Sequence, residues 1–519
     1  MASIKRPAVI FAAVFLLSAY FNGFNLSFIC ALFALFLLPV FVYSGIKKNH
    51  YRKAFFIFII IFALLYPEIY KTFCEYKNTK TFDVIKDQKF FTATVKDISY
   101  NGKSVSIYAD IYGYGGKNMG KAIINSAFPD KLCDLYDCIY FEGEIHPVND
   151  DTIQKLSLYG NENFYYSKGC YFIAETENIT VLGRLPKEKR NFVHNFYFYI
   201  NDNLKNKVPI IDGTDPFSYI SALLTGNRAF LTKEITQNFS ASGLMPYLCI
   251  SGLHISIVTG LLIFILKLFK VNRFFRFVLS LLLLIFLCFI TGFSGSVMRA
   301  SLMCAVLLLG ELISGKYDRF AALAVALFII ILSNPYAVFD MGTQLSFLAM
   351  LGVCNSLYFT ADRSFNSSKL IQYFKLTIIT ATVTSGFVFI PILYAFGGVY
   401  LLTPLANIPA VIFTPIMYLA VFMGIFAFLP RMLLFPFGYV FSVLTALFEK
   451  LAASFAAIPY SFAEFTCNPT LLVLFDVLIF FNILCISICD ERKIFFSGVF
   501  SSTVIYISVF VCHMMTILL

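Results

Sequence analysis

Long apolar runs separated by short polar stretches open the chain. Two runs, at 7–20 and 24–43, are parted by only a few polar residues, and a third follows at 54–70. Runs of this kind are typical of membrane-crossing helices. With three spans, Lys5, Arg6 and the basic stretch from Lys47 to Lys53 fall on one side, and such residues mark the cytoplasm. Residues 1–75 are therefore predicted to form about three transmembrane helices, after which the chain lies outside the cell.

The pattern then changes to short alternating segments over residues 76–186. Alternation with a period of two, broken by Gly, Asn and Asp, predicts β-strands. These segments are 91–95, 104–109, 121–124, 139–145 and 170–174. Four to six short strands suit a small extracytoplasmic barrel, for which an OB-like fold is one candidate. A β-sandwich is the other.

Two further patterns complete the chain. Residues 187–243 are amphipathic, which predicts helices on the outer surface or beneath the β-rich domain. Apolar runs return over 244–519, at 244–269, 274–291, 296–313, 320–333, 341–360, 373–395, 403–429, 432–457, 469–489 and 494–519. Basic clusters follow alternate runs, as they do when each run crosses the membrane once and the clusters face the cytoplasm. The predicted fold is a polytopic α-helical protein of the bacterial cytoplasmic membrane with a small extracytoplasmic β-rich, OB-like domain.

Composition agrees with this pattern. Hydrophobic residues make up 59% of the 519 residues, charged residues 13%, and the mean hydropathy is +0.77. Soluble domains carry about 25% charged residues, so most of this chain must face lipid or other apolar helices. The net charge of +10 is first explained by orientation signals in cytoplasmic loops. A positively charged conduit for a polyanion is the alternative explanation.

The cysteines and histidines give no sign of a metal site. The 13 Cys include no CxxC pair and no cluster with zinc spacing, and most lie within apolar runs. Cys133, Cys138 and Cys170 differ because they lie in the polar segment, which is predicted to face an oxidising compartment. One disulfide is predicted there, between Cys170 and either Cys133 or Cys138. No metal or cofactor is predicted.

Several apolar runs are interrupted by Gly and Pro. The interruptions fall at Gly243, Pro246 and Ser251-Gly252; at Gly292 and Gly295; at Gly397-Gly398; and at Pro404, Pro409 and Pro415. Backbone groups freed from a helix are tolerated at membrane depth only where protein or a water-filled cavity satisfies them. The clustering therefore favours a conduit or binding site built from broken helices. The alternative is that Gly and Pro are simply common in membrane helices.

Few ionisable or strongly polar side chains fall within the apolar runs. They are His254, Arg299, Glu311, Asp340, Gln344 and Asp476. Each is costly in lipid and is expected to face the protein interior or a cavity. Ser251 and His254 are three residues apart, and Asp340 and Gln344 are four apart, so each pair is predicted to share a helix face. The structural alternative is that these side chains tie helices together by hydrogen bonds.

Four motifs follow one another along the chain: Ala222 to Arg228 with Ser242 to Ile255; Thr291 to Met303; Asn334-Pro335 with Phe339 to Ala349; and Thr403 to Pro409. In order and spacing they resemble the motifs of the ComEC competence proteins, the DNA-internalisation channels of transformable bacteria. The resemblance is strong over about 220–430. The preceding domain is similar only in position and β-rich character, with a weak local echo from Gly160 to Gly169.

The resemblance implies a channel that passes single-stranded DNA into the cytoplasm. The residues it assigns to the channel and its motifs are Asn227, Arg228, Ser251, Gly252, His254, Gly292, Gly295, Arg299, Asp340, Gln344 and Asn407. The external domain would meet the strand with aromatic and basic side chains, for which Tyr165, Tyr166 and Lys168 are candidates, although we favour the alternative that they are ordinary strand residues. Implied partners are single-stranded DNA, the lipid bilayer, a DNA receptor outside, and a cytoplasmic ATPase or single-strand-binding proteins inside.

One departure from the family pattern concerns catalysis. Many members carry a further metallo-β-lactamase-like domain, but the five His here form no His-x-His-x-Asp-His cluster. We therefore expect no catalytic residues, no nuclease activity on this chain, and a separate protein for any strand degradation. Two other functions stay open: a permease for another substrate, whether anionic or not, and a non-transporting membrane scaffold. The first predicts an external domain without affinity for nucleic acid, and the second predicts that His254, Arg299 and Asp340 tolerate replacement.

Overall fold

The structure is a computed structural model that divides into two compact units. It describes residues 12, 51–86, 88–100, 105–112, 118–126, 135–148, 162–176, 179–186, 188, 190, 192–205, 207–209, 215–226, 228, 230–248, 250–291, 294–314, 318–356, 369–396, 398–400, 402–407, 413–458, 462–464, 475, 478, 479, 482, 500, 501, 504 and 505. The β-sheet unit comprises Phe11–His194 and Leu327–Asp340, and the helical unit comprises Met1–Ile10, Asn195–Ala326 and Met341–Leu519. The predicted spans at 7–20, 24–43, 469–489 and 494–519 lie outside the described residues except at isolated positions.

In the continuously described part of the β-sheet unit, the first element is one long helix, α1 (Tyr51–Ile85). The helix continues through Pro67 and past the expected end of the third apolar run, so it crosses the predicted boundary at residue 75. The strands that follow are β1 (Phe90–Tyr100), β2 (Val105–Tyr112), β3 (Asn118–Ser126), β4 (Asp137–Glu142), β5 (Glu144–Pro147), β6 (Phe172–Thr176) and β7 (Ile179–Arg184). The prediction of a separate small β-sheet domain is confirmed. A short helix, α2 (Glu162–Ser167), lies between β5 and β6.

The seven strands form one sheet in the order β5-β6-β3-β2-β1-β4-β7. β1, β2 and β3 are an antiparallel meander, and β6 lies parallel to β3. β4 pairs with β1, whereas β5 pairs with β6, although only Gly143 separates β4 from β5 along the chain. A single bent stretch of chain therefore contacts both β1 and β6.

Gly143 makes that bend where two backbones approach closely. A Cβ at this position would lie 2.6 Å from the carbonyl oxygen of Glu175. The Gly143 N–H donates to the carbonyl of Lys89 at 3.1 Å, and the Thr176 hydroxyl donates to the carbonyl of Glu142 at 2.8 Å. Only glycine fits this approach without displacing backbone.

The strands alternate buried and exposed side chains as the sequence predicts. The buried apolar positions include Phe91, Ala93, Val95, Ile107, Ala109, Ile111, Ile139 and Phe141. Successive side chains of a strand point to opposite faces, so these residues fill one side of the sheet.

The helical unit holds most of the apolar runs that follow residue 187. Its helices are α3 (Phe192–Leu204), α4 (Pro216–Thr225), α5 (Lys233–Ala241), α6 (Gly252–Leu268), α7 (Arg273–Ile290), α8 (Gly295–Ser314), α9 (Arg319–Ser333), α10 (Met341–Ser356), α11 (Lys369–Phe396), α12 (Thr403–Ala406), α13 (Phe413–Ile425) and α14 (Arg431–Ala456). α3 and α9 each extend into the β-sheet unit at one end. Two 3-10 turns, Met245–Tyr247 and Pro335–Phe339, precede α6 and α10. β8 (Gly398–Tyr400) pairs with β9 (Phe462–Glu464).

Three helices in the described part of the chain are long and apolar enough to cross a membrane. They are the segments Gly295–Ile313, Leu376–Tyr394 and Arg431–Ala456. α6, α9 and α13 are apolar but shorter. α9 has 15 residues, or about 22 Å at the rise of an α-helix, so it is short for a span as predicted.

A core of aromatic side chains joins α4, α5, α13 and α14. Phe239 contacts the ring of Phe448 at 5.1 Å between centroids, and Phe413 lies 5.9 Å from the same ring. Nine of the ten residues of α4 are buried. The hydroxyl side chains of Ser218, Ser221 and Thr225 are therefore buried. The location of this amphipathic segment on the outer surface or beneath the β-rich domain stays a prediction.

Candidate functional site

The chain turns sharply between α5 and α6, where the second part of the first motif, Ser242 to Ile255, begins. Gly243 has φ of +71° and lies against Thr403, so that a Cβ would overlap the Thr403 hydroxyl oxygen. Both the backbone conformation and the lack of space require glycine here. The turn after α5 therefore lies against the start of α12.

Ser251 and His254 form the N-terminal cap of α6. The backbone N–H of Ser251 donates to Nδ1 of His254 at 3.1 Å, and the Ser251 hydroxyl oxygen lies 2.9 Å from the same nitrogen. This is the capping-box geometry, with histidine in the place usually held by Glu or Gln. The contact predicted from their three-residue spacing is present.

The other imidazole nitrogen of His254 has a different environment. Because Nδ1 accepts a hydrogen bond, the proton of the neutral ring is assigned to Nε2. His254 is 2% exposed, and Nε2 makes no hydrogen bond of good geometry with the described residues. The carbonyl of Tyr247 lies close enough to interact with the ring, and the edge of Phe413 packs 5.0 Å away. His254 therefore presents a buried N–H donor.

Asn407 links this cap to the second broken helix. The Tyr247 hydroxyl donates to Oδ1 of Asn407 at 2.8 Å, and Nδ2 of Asn407 donates to the carbonyl of Thr403 at 2.9 Å. Asn407 ends α12, and α13 begins at Phe413. The interrupted segments predicted around Pro246 and Pro404 are thus in direct contact.

The start of α8 joins the same region. The Ser296 hydroxyl donates to the carbonyl of Ile250 at 2.7 Å. Gly252 is packed so that a Cβ would lie 3.7 Å from the Cβ of Ala300. The N-terminal ends of α6 and α8 are therefore adjacent, and helix N-termini carry partial positive charge.

Arg299 lies one turn into α8 and reaches α10. Its Nε donates to the Ser346 hydroxyl at 3.3 Å, and Nη1 donates to the Thr343 hydroxyl at 3.2 Å. Gly295, which begins α8, leaves the room for this side chain, since a Cβ there would lie 3.1 Å from Nη1. The guanidinium is half-buried and is oriented by neutral hydroxyl groups at these two atoms.

Asp340 belongs to the β-sheet unit, where it forms an ion pair. Nζ of Lys168 lies 2.7 Å from Oδ1 of Asp340, whose side chain is 7% exposed. Asp340 has an extended backbone and ends the 3-10 turn before α10 begins at Met341. The prediction that Asp340 and Gln344 share one helix face is wrong, because only Gln344 is within the helix.

Asn334 fixes the same segment to α2. Its Nδ2 donates to the carbonyls of Tyr166 and Ser167 at 3.0 and 3.2 Å, and its Oδ1 accepts the Tyr336 N–H at 3.1 Å. The rings of Tyr336 and Tyr166 lie 5.0 Å apart. The Asn334-Pro335 motif and the weak echo near Gly169 are therefore parts of one contact.

The remaining predicted residues are placed as follows. Arg228 is exposed, and Asn227, Gly292 and Cys133 lie outside the described residues. Within the described residues no disulfide joins Cys170 to Cys138, and burial raises the pKa of the Cys170 thiol to about 12. The pairing of Cys170 with Cys133 stays a prediction. Tyr165 and Tyr166 are 4% and 6% exposed, so these candidates for base stacking are wrong.

Sequence reasoning missed the aromatic side chains that do face outward from the sheet. Phe90 on β1 is 44% exposed and stacks on Tyr140 of β4 at 6.1 Å with an interplanar angle of 10°. In the register, Thr92 lies between Tyr140 and Tyr112 of β2. These three rings therefore lie on one face of adjacent strands. The sequence signal that could have identified these rings is their alternation with the buried residues of the same strands.

The apolar helices, two of them interrupted at a shared polar contact, and the separate sheet are features of the class of α-helical membrane proteins with broken helices. A family model described as Competence protein matches residues 223–488, just over half of the 519 residues. The chain belongs to this family of competence proteins.

A similar protein agrees with that assignment. The chain is similar to ComE operon protein 3 of Bacillus subtilis (strain 168), with 34% identity over 133 residues. The match covers 26% of this chain and 17% of that protein, so it spans well under two thirds of the relative. No solved structure matches the chain.

Proposed function

We propose that this protein passes single-stranded DNA across the bacterial cytoplasmic membrane into the cytoplasm during natural transformation. The observation that carries the proposal is the family match over residues 223–488, within which the two broken helices meet at Tyr247 and Asn407. Broken helices in contact at membrane depth are the usual way that transporters build a polar passage.

The positions of the basic clusters orient this passage. With Lys267, Arg273 and Lys316 facing the cytoplasm, the starts of α6, α8 and α13 fall at the external end of the helical unit. The same rule places residues 334–340 outside, on the side of the β-rich domain. The packing of Leu327–Asp340 within the β-sheet unit supports that orientation.

The proposed chemistry is electrostatic and independent of base sequence. Arg299 supplies a guanidinium that is held by hydroxyl groups and is suited to a phosphodiester oxygen. His254 supplies a neutral donor, and the N-termini of α6 and α8 add partial positive charge. Such groups neutralise phosphates without reading bases.

The β-rich domain is proposed to guide the strand to that end. Its pairing, in which β3 lies parallel to β6 and a bent chain closes from β1 to β6, supports an OB-like barrel. The stacked Phe90 and Tyr140, with Tyr112 beyond them, replace Tyr165 and Tyr166 as the candidates for base stacking.

Other proteins are proposed to take part in strand degradation, DNA delivery and inward movement of the strand. Among the described residues no group of three His, Cys, Asp or Glu is placed to hold a metal ion. We propose that a separate nuclease degrades the other strand, that a receptor delivers DNA outside, and that a cytoplasmic ATPase or single-strand-binding proteins draw the strand inward.

The test is nuclease-protected uptake of labelled DNA by competent cells. Cells with the gene deleted are complemented with the intact chain, His254→Ala or His254→Gln at equal membrane abundance. Gln keeps an acceptor for the Ser251 N–H, so it preserves the cap that Ala removes. We expect no uptake on deletion, rescue by the intact chain and failure of both variants.

Other outcomes discriminate among the alternatives. Uptake that is undiminished by deletion rejects the channel and favours a permease for another substrate. Full uptake with His254→Gln assigns this residue to the cap alone. Full uptake with both variants and with Arg299→Gln supports the scaffold.

A further inference from the structure

Three basic side chains line one groove of the helical unit, at the end where α6 finishes, α7 begins and α8 finishes. Lys267 comes from the last turn of α6, Arg273 and Arg276 come from the first turn of α7, and Glu311 comes from α8. The other lining residues are Ile263, Phe277, Ser280, Leu308 and Leu312. Three cations thus face one carboxylate on an otherwise apolar wall.

None of these charges is neutralised within the part of the chain that the structure describes. Among the described residues, none of Lys267, Arg273, Arg276 and Glu311 takes part in an ion pair. Orientation signals account for basic residues at this side of the membrane but not for their convergence on one groove. The groove therefore has an uncompensated positive potential.

A buried hydroxyl group makes the groove more than a basic surface. Ser280 is 0% exposed and lines the groove, and its hydroxyl has no hydrogen-bond partner in the described structure. A helical serine usually donates to the carbonyl four residues earlier, so an unpaired one is unusual. Ser280 lies four residues after Arg276, which puts both on one face of α7. The hydroxyl and the guanidinium can contact one ligand.

Apolar side chains surround the groove and are exposed. Phe264, Leu268 and Phe269 of the α6 end are 65%, 70% and 74% exposed, and Phe274 and Phe275 of α7 are 56% and 58% exposed. In a membrane protein these side chains face lipid. A ligand held here has an anionic group in contact with the cations and an apolar body beside the rings.

We propose that this groove binds the phosphate headgroup of an anionic phospholipid from the cytoplasmic leaflet. Lys267, Arg273 and Arg276 contact the phosphate, Ser280 donates a hydrogen bond to one of its oxygens, and the acyl chains lie along the exposed rings. Basic pockets between helices at the cytoplasmic side are suited to such headgroups. A DNA strand has the phosphate but no apolar body to cover these rings, so we favour lipid.

Native mass spectrometry of the full chain in a neutral detergent tests the proposal. Phosphatidylglycerol and phosphatidylcholine of equal chain length are titrated, and the affinity of the first bound lipid is compared. We expect a preference for phosphatidylglycerol that weakens about fivefold for each of Arg273→Gln and Arg276→Gln. Arg431→Gln is the matched control, since it removes one exposed cation of the same predicted side and leaves the groove intact.

Ser280→Ala distinguishes binding from structure. If the hydroxyl contacts the headgroup, this variant binds phosphatidylglycerol more weakly while its stability without lipid is unchanged or higher, because an unpaired buried hydroxyl is removed. Equal affinities of the intact chain and the Arg variants for both lipids overturn the proposal. So does a single-stranded oligonucleotide that binds the groove with loss in Arg273→Gln and no lipid preference.

Discussion

Ser251 and His254 show what spacing along the chain can predict for single residues. Their contact depends only on three residues of one helix turn, so the sequence contains it. Asp340 and Gln344 have the same kind of spacing, but the helix begins between them. The burial of Tyr165 and Tyr166 was not predictable for a related reason, since they pack in one buried cluster with Tyr336, far along the chain. Local geometry was predictable, whereas contacts between distant segments were not.

His194 leads to a residue-scale prediction about pH. Its ring packs 4.4 Å from that of Tyr136 and is 6% exposed. Burial, with help from Lys96 and Arg190, lowers the pKa of His194 to about 4 from its ordinary value of 6.5. Between these two pH values, the unfolded chain therefore binds a proton at His194 that the folded chain does not. Stability from this residue is complete above pH 6.5 and is lost as the pH falls towards about 4.

Thermal unfolding of the purified chain, followed by circular dichroism between pH 8 and pH 4, measures this loss. His194→Gln is expected to lose less stability than the intact chain below about pH 6.5, since glutamine takes up no proton. His146→Gln is the control, because that histidine is on the exposed side of β5. Equal slopes for all three proteins would reject the role of His194.

At the scale of elements, β1 to β6 lie close to the predicted alternating segments because strand periodicity is a local property. β7 was not predicted, although its residues alternate in the same way. The alternating pattern of 139–145 predicts a single strand. The break at Gly143 depends on its close approach to the carbonyl of Glu175, a contact that the sequence does not reveal. The docking of the Asn334-Pro335 turn on α2 was equally inaccessible, since no periodicity records which elements meet.

The Lys168–Asp340 pair gives an element-scale prediction. Lys168→Met leaves the buried carboxylate without its ammonium partner, and we expect a loss of roughly 1–3 kcal/mol in stability, reduced from a fully buried pair because Lys168 is partly exposed. Asp340→Asn should cost less, because a neutral amide is cheaper to bury than an unpaired charge. The double variant Lys168→Met/Asp340→Asn should be more stable than the sum of the single losses implies.

Chemical denaturation of the four proteins forms the double-mutant cycle. The control pair is Lys86 and Asp83, which lie 3.4 Å apart on the exposed surface of α1 and should show almost no coupling. Additive losses for Lys168 and Asp340 would contradict their coupling.

At the scale of the whole molecule, the apolar pattern and the family motifs predicted a helical membrane protein with a separate β-sheet domain. Three segments of the described chain are long and apolar enough to cross a membrane, whereas α6, α9 and α13 are apolar but shorter. Two predicted runs, 244–269 and 403–429, contribute only the shorter helices α6, α12 and α13 because Pro and Gly interrupt them. The motifs contain Tyr247, His254 and Asn407, so the sequence identifies these residues. It does not show that Tyr247 and Asn407 are in contact.

The outward aromatic face gives a prediction at this scale. Phe90→Ala combined with Tyr140→Ala should weaken binding of a single-stranded oligonucleotide about tenfold or more, since stacking on one ring is worth about 1–3 kcal/mol per base. Leu182→Ala is the control, because Leu182 is 60% exposed on β7 but has no ring. Fluorescence anisotropy of a labelled oligonucleotide with the full chain gives the affinities. Equal weakening by Leu182→Ala would reject stacking.

The membership of Leu327–Asp340 in the β-sheet unit has a consequence for protein engineering. These residues lie inside the region that the family model matches, so a chimera cut at the edge of that region separates Asn334 and Asp340 from the α2 residues that they bind. A graft that exchanges the β-sheet unit between relatives must therefore exchange two pieces of chain. Swapping the first piece alone should yield a mispaired hybrid, and transplanting the second piece with it should restore a matched docking surface.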